Sequence, residues 1–186
     1  MKATGIIRRI DDLGRVVIPK EIRRTLRIRN GDPLEIFVDR EGEVILKKYS
    51  IIGELDEFAQ EYTDSLNQGL GHIALVCDRD TIIAVSGTTK KEFLNKTLDP
   101  VLGKVIEERK TILVNDKSDQ YFDEIAVIDD SEKFLNLNKV IAPIIVEGDA
   151  IGAVILIARE PGVRLGDVEV KMAGTAATFL SKQMET

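Results

Sequence analysis

Along the first 48 residues, apolar positions come in short runs separated by turn-forming residues. Gly5 to Ile10 is rich in Ile and predicts a strand. Asp11-Asp12-Leu13-Gly14 predicts a turn, with Gly14 suited to positive φ. Arg15 to Ile18 predicts a second strand. Pro19 fits the first position of a helix, where its missing N–H costs nothing. Lys20 to Leu26 is that helix, and Asn30-Gly31 reads as its stop signal. Leu34 to Asp39 alternates Leu34, Ile36 and Val38 with Glu35, Phe37 and Asp39; Glu41-Gly42 then turns the chain, and Val44 to Lys48 returns as a hairpin.

The remainder has a different rhythm. Leu55, Phe58, Ala59, Tyr62 and Leu66 make an apolar stripe at helical spacing over about Leu55 to Gln68. His72 to Asp78 and Thr81 to Ser86 are strands around the Arg79-Asp80 turn. Thr89-x-x-Glu92 is a capping-box pattern opening a helix. Leu98 to Glu108 is helical, Thr111 to Val114 a strand, and residues 115–138 are irregular and acidic. Lys139 to Val146 and Ala150 to Ala158, joined at Glu147-Gly148-Asp149, are apolar on both faces, so they predict central strands covered on two sides. A last helix runs from about Gly166 to Met184, with Ala173, Gly174, Ala176 and Ala177 permitting close approach of another helix. This order is that of an α+β domain, an antiparallel sheet with helices packed on it.

Charge divides the chain at the same place as the pattern. The whole carries a net charge of −6. Residues 1–48 hold 12 Lys and Arg against 8 Asp and Glu, a balance of +4, whereas the rest holds 14 against 24, a balance of −10. Within residues 1–30 the balance reaches +6. A basic binding arm joined to an acidic body fits this asymmetry. At 100° per residue, Ile22 and Leu26 share one helix face while Arg23, Arg24 and Arg27 lie on the other. With Arg8, Arg9 and Arg15, six arginines fall within twenty residues. Guanidinium presents a planar fork that suits phosphate and the guanine edge. Solvation, or pairing with Asp11, Asp12 and Glu21, is the alternative for some of them, Arg9 and Arg27 above all. A 48-residue module without disulfide or metal is near the lower limit for its own core, and its short hairpins leave open strand edges. Dimerisation with interleaved strands answers both.

The stretch Ala3 to Tyr49, with its DDLGRVVIPKEIRRTL core and following GDPLEI, strongly resembles the AbrB-like, swapped-hairpin DNA-binding domain. The resemblance implies an all-β-type barrel of interlocked hairpins with one short helix, formed by an intertwined dimer that binds double-stranded DNA. On the matching positions it implies Arg8, Arg15, Arg23 and Arg24 as the DNA-contacting set, with Arg9, Lys2 and Lys20 as weaker candidates. The same family includes antitoxins, whose partner is a toxin protein. The stretch VIAPIIVEGDAIGAVILIA, with its flanking helices, resembles the late hairpin of a GAF domain. That implies a small-molecule sensing and dimerisation module. The two modules in this order resemble the sporulation regulators of spore-forming bacteria. The expected organisation is a DNA reader over residues 1–50, a link over 51–54 and a GAF-like body over 55–186, with a tetramer formed through the C-terminal helices and an unidentified small ligand as a further partner.

Other chemistry is thinly represented. The chain has one His and one Cys, so disulfides and zinc or haem sites are poorly supported and no cofactor is expected. His72 and Cys77 lack partners at any recognisable spacing; His72 reads as structural and Cys77 as a buried thiol. Ser86 to Lys91 lacks the spacing of a phosphate loop and reads as a helix cap. The acidic residues Asp116, Asp119, Asp123, Glu124, Asp129 and Asp130 read as a solvated surface or the lid of a pocket. Without a nucleophile–base pair, an enzyme is not expected. The charged N-terminus and the short apolar runs predict neither export nor membrane insertion, and hence a cytoplasmic protein.

Overall fold

The computed structural model describes residues 5–50, 52–115, 121, 125–128 and 135–185. It falls into two compact units, Met1–Tyr49 and Ser50–Thr186. Lys2 and the acidic residues between 116 and 130 named above lie outside the described residues.

The first unit contains a short helix, α1 (Lys20–Thr25), and a hairpin of β1 (Leu34–Val38) and β2 (Val44–Lys48). The hairpin pairs Ile36 with Leu46 and Val38 with Val44, so these four apolar side chains share one face, with Leu34 opposite Lys48 at its end. Its turn is built by Asp39, whose Oδ1 accepts the N–H groups of Glu41 at 2.9 Å and Glu43 at 2.8 Å, with Gly42 at φ 85°. The strands expected over Gly5–Ile10 and Arg15–Ile18 carry no sheet pairing. A strand is stabilised by its ladder, and among the described residues no sheet ladder reaches these segments. Their apolar side chains are correspondingly uncovered, Ile7 at 86% and Val17 at 70% exposure. Among the described residues of this unit only Pro19 is buried. Leu26, on the apolar face of the helix, is exposed as well.

Helix α1 also stops earlier than Asn30-Gly31 suggested. Arg27 adopts φ 52°, its N–H donates to the Arg24 carbonyl at 3.2 Å, and the Ile28 N–H donates to the Arg23 carbonyl at 2.7 Å. That is a Schellman ending, with Arg27 in the left-handed position that Gly usually fills.

The second unit begins with a 3-10 turn at Ile52–Leu55 and continues through α2 (Asp56–Leu70), β3 (Ile73–Asp78), β4 (Ile82–Ser86), α3 (Lys90–Phe93), α4 (Pro100–Glu107), β5 (Ile112–Val114), β6 (Lys139–Val146), β7 (Asp149–Ile157) and α5 (Asp167–Met184). The five strands form one antiparallel sheet in the order β4-β3-β7-β6-β5. As their two-faced apolar sequences require, β6 and β7 are interior strands. One sheet face packs on Leu66 of α2, Ala173, Ala176 and Leu180 of α5, and Ile52. The other is covered by Phe93, Leu98, Leu102, Ile106, Ile125 and Val127. The capping box expected at Thr89-x-x-Glu92 is not made: the Thr89 side chain caps nothing, and the Glu92 N–H turns instead to the Thr89 carbonyl at 3.0 Å, leaving a helix of one turn. Helix α4 does have a side-chain cap, Asp99 accepting the Val101 N–H at 2.8 Å, with Pro100 at the first position.

Candidate nucleic-acid interface

The arginines of the first unit are placed by two local devices. The first is the turn after Ile10. Asp11 Oδ1 accepts the N–H groups of Leu13 at 3.0 Å and Arg15 at 2.8 Å, and the Asp11 N–H reaches the Arg15 carbonyl at 3.0 Å. Gly14 closes the turn at φ 76°, as its sequence position suggested, and donates to the Asp11 carbonyl at 2.9 Å. The remaining carboxylate oxygen, Oδ2, receives Nε of Arg15 at 2.8 Å. Of the three acids that the spacing offered to the arginines, Asp11 is the one joined to Arg15. The Arg15 backbone N–H, and then its guanidinium, hold the Asp11 carboxyl below the usual carboxylate range. Arg8 and Arg9 precede this turn and are exposed. Arg8 touches the neighbouring Ile7 carbonyl at 3.3 Å.

The second device is the helix. Lys20, Arg23 and Arg24 lie on α1, with Lys20 and Arg24 exposed and Arg23 half-buried. Arg23 is less outward than the helical wheel implied. One terminal nitrogen donates to Asn30 Oδ1, and its buried Nε finds no hydrogen-bond partner among the described residues. Lys48, at the end of β2, donates from Nζ to the Arg27 carbonyl at 2.9 Å, tying the helix end to the hairpin. Nζ also lies 3.9 Å from Asp32. Asn30 and Lys48 were not legible as supports. Asn30 reads as a turn residue and Lys48 as a strand end, and only the fold brings each to its partner.

In the second unit, Cys77 is fully buried, and burial together with Asp78 pushes its thiol pKa up. A thiol kept protonated is a poor nucleophile. His72 Nε2 lies 3.8 Å from Glu169 Oε1, while the other Glu169 oxygen caps α5 by accepting the Gly166 N–H at 2.6 Å. The buried Lys139 donates to the carbonyls of Ile125 at 3.1 Å and Leu135 at 2.8 Å, holding that irregular stretch to the sheet. Ser86, where the weak phosphate-loop pattern begins, is enclosed by Gln60, Thr63 and Asp64 of α2 and bonds to each. Among the described residues no three His, Cys, Asp or Glu side chains gather as a metal site. No described helix is long and apolar enough to cross a membrane.

Comparison with known proteins agrees with this division. Residues 7–53 match the family described as antidote-toxin recognition MazE, bacterial antitoxin. Over 49 residues the chain is 65% identical to the transition state regulatory protein AbrB of Bacillus subtilis, covering 26% of this chain and 50% of that protein. The second unit resembles the GAF domain of a phosphoenolpyruvate-protein phosphotransferase from Coxiella burnetii, with a TM-score of 0.54 and 17% identity over 70% of this chain and 82% of the other. That likeness establishes a GAF fold for the body. Stage V sporulation protein T of Bacillus subtilis is 54% identical over 185 residues, covering 100% of this chain and 99% of that protein. Residues 54–185 match the family described as stage V sporulation protein T C-terminal, transcription factor. With an arginine-bearing reader unit ahead of a GAF-fold body that matches along its length, the chain belongs to the stage V sporulation protein T family of transcription factors.

Proposed function

We propose that this protein is a sequence-specific DNA-binding regulator of transcription that acts in the cytoplasm and reads DNA as an intertwined dimer. The observation that carries the reading is the coexistence, in one small unit, of exposed arginines with an apolar surface that one chain leaves uncovered. Ile7, Ile10, Val16 and Val17, and the Ile36, Val38, Val44 and Leu46 face of the hairpin, are all exposed. A second copy exchanging hairpins would cover them and supply the missing ladders. It would also bring a second set of Arg8, Arg15, Arg23 and Arg24 onto the same assembly, with Lys2, Arg9 and Lys20 adding charge. Two-fold protein symmetry calls for a two-fold related DNA site.

The body is the module that joins such dimers. Phe58 on α2 and Val168, Met172 and Phe179 on α5 are exposed apolar side chains on the two flanking helices, and the rings of Tyr62 and Phe179 lie 5.1 Å apart. Pairing of these helices between subunits gives a tetramer. A small ligand in the body would change DNA binding only by favouring one arrangement of the assembly over another.

The test is selection of DNA from a random-sequence pool by the full-length protein, followed by footprinting. Enrichment of a site with two related halves is expected; a pool that stays random overturns the reading. The match to an antitoxin family gives a second reading, a module that binds a toxin protein. Co-purification of a small stable protein partner, together with failure of the DNA selection, would favour it.

A further inference from the structure

The candidate arginines are not equivalent, and the difference bears on what each can do at a DNA surface. Contacts to phosphate position a protein on the duplex, whereas contacts to base edges specify sequence. A phosphate accepts from almost any direction, so a mobile guanidinium serves. A guanine presents O6 and N7 side by side in the major groove and is read by two parallel N–H donors. Bidentate reading therefore asks for an arginine held at its inner end, with both terminal nitrogens left to face outward.

Arg15 meets that description. Its Nε is anchored on Asp11 Oδ2 at 2.8 Å, and Asp11 is itself fixed by two backbone N–H groups of the same turn. Rotation about the outer torsions is thereby restrained without using Nη1 or Nη2. The side chain remains 69% exposed, which leaves the fork presentable to a partner. Arg23 differs, because Asn30 takes a terminal nitrogen and the Nε is buried, so its fork is already divided. Among the described residues, Arg8 is held through a terminal nitrogen to an adjacent carbonyl, and Arg9 and Arg24 are exposed and meet no anchoring carboxylate.

Resting on the DNA-binding reading above, we infer that Arg15 is the specificity-determining residue, reading a guanine edge through its two terminal nitrogens, and that Asp11 is its positioning residue. The negative charge of Asp11 is kept off the DNA by the Arg15 Nε and the two backbone donors that it accepts. Arg8 and Arg24 are left the phosphates.

The experiment uses the full-length protein and two duplexes, one recovered by selection from a random pool and the random pool itself. The readout is the ratio of the two affinities, which does not depend on the fraction of protein that is active. Arg15→Lys keeps the charge and loses the fork. Asp11→Asn keeps an acceptor for the turn and loses the charged anchor. Both are expected to lower the ratio, Arg15→Lys by about tenfold, within the range that one bidentate pair contributes. Replacing guanines of the selected duplex one at a time by 7-deazaguanine removes the N7 acceptor. One such position is expected to weaken wild-type binding and leave Arg15→Ala binding, which has no donor for N7, unaffected. Equal loss of affinity on both duplexes for the two variants overturns the inference while leaving the arginine face as a phosphate-binding surface. Equal sensitivity of wild type and Arg15→Ala to every 7-deazaguanine overturns it as well. A wild-type protein that binds neither duplex overturns the proposed function and this inference together.

Discussion

Two glycines show how the same residue is required for unrelated reasons. Gly14 stands at φ 76° with open space around its missing side chain, so the conformation alone demands glycine. Gly152 has no such φ. It lies in β7 between Asp78 of β3 and Ile144 of β6, where a Cβ would sit 2.1 Å from the Cys77 carbonyl oxygen and 2.5 Å from Ile52 Cδ1. The first was legible from the Asp-Asp-Leu-Gly turn. The second was legible only in kind: a glycine inside an apolar strand marks a close approach without telling which atoms make it. Gly14→Ala should cost about 1–2 kcal/mol, the usual penalty for a left-handed Cβ, and should disturb the Asp11–Arg15 turn. Gly152→Ala must push against backbone and should cost about 3 kcal/mol or more in the body. Thermal unfolding of the full-length variants separates the two. A Gly152→Ala protein as stable as wild type would show that the sheet can open at this point without loss.

At the scale of elements, what could be read was what each segment carries within itself. The apolar runs of β6 and β7 identified interior strands, and the stripe from Leu55 to Leu66 identified α2. Boundaries set by particular hydrogen bonds were less accessible. Arg27 ends α1 in a conformation that its residue type does not advertise, and Thr89 leaves its capping position unused. The segments Gly5–Ile10 and Arg15–Ile18 have strand-like sequences and form no ladder among the described residues, and the proposed hairpin exchange would supply one. In the assembled protein these segments should be protected. Amide hydrogen exchange on the full-length protein is expected to be slow at Ile6, Ile7, Val16 and Val17. Exchange at the rate of an open chain, or a monomer by light scattering, would contradict hairpin exchange.

The candidate site follows the same logic. The arginine-rich stretch and its DNA-reader resemblance were visible in residues 3–49, but the ranking of the arginines was not. That ranking depends on Asp11 and Asn30, short side chains whose partners are chosen by turn geometry rather than by sequence distance.

For the molecule as a whole, the net charge of −6 conceals a +4 reader and a −10 body. Nucleic-acid binding is carried by local charge, and in the proposed reading an acidic body would lower attraction to DNA in general while leaving the paired arginine faces to bind. The central claim is that these faces hold phosphate. The measurement that tests it most directly is the affinity of the full-length protein for its selected duplex as a function of salt, compared with Arg8→Ala. Each phosphate neutralised lowers log K by about 0.9 per tenfold rise in salt, so a steep wild-type slope is expected, and Arg8→Ala should make it shallower by about that amount for each phosphate the alanine no longer reaches. A wild-type affinity indifferent to salt, or a slope identical in the two proteins, would contradict the account.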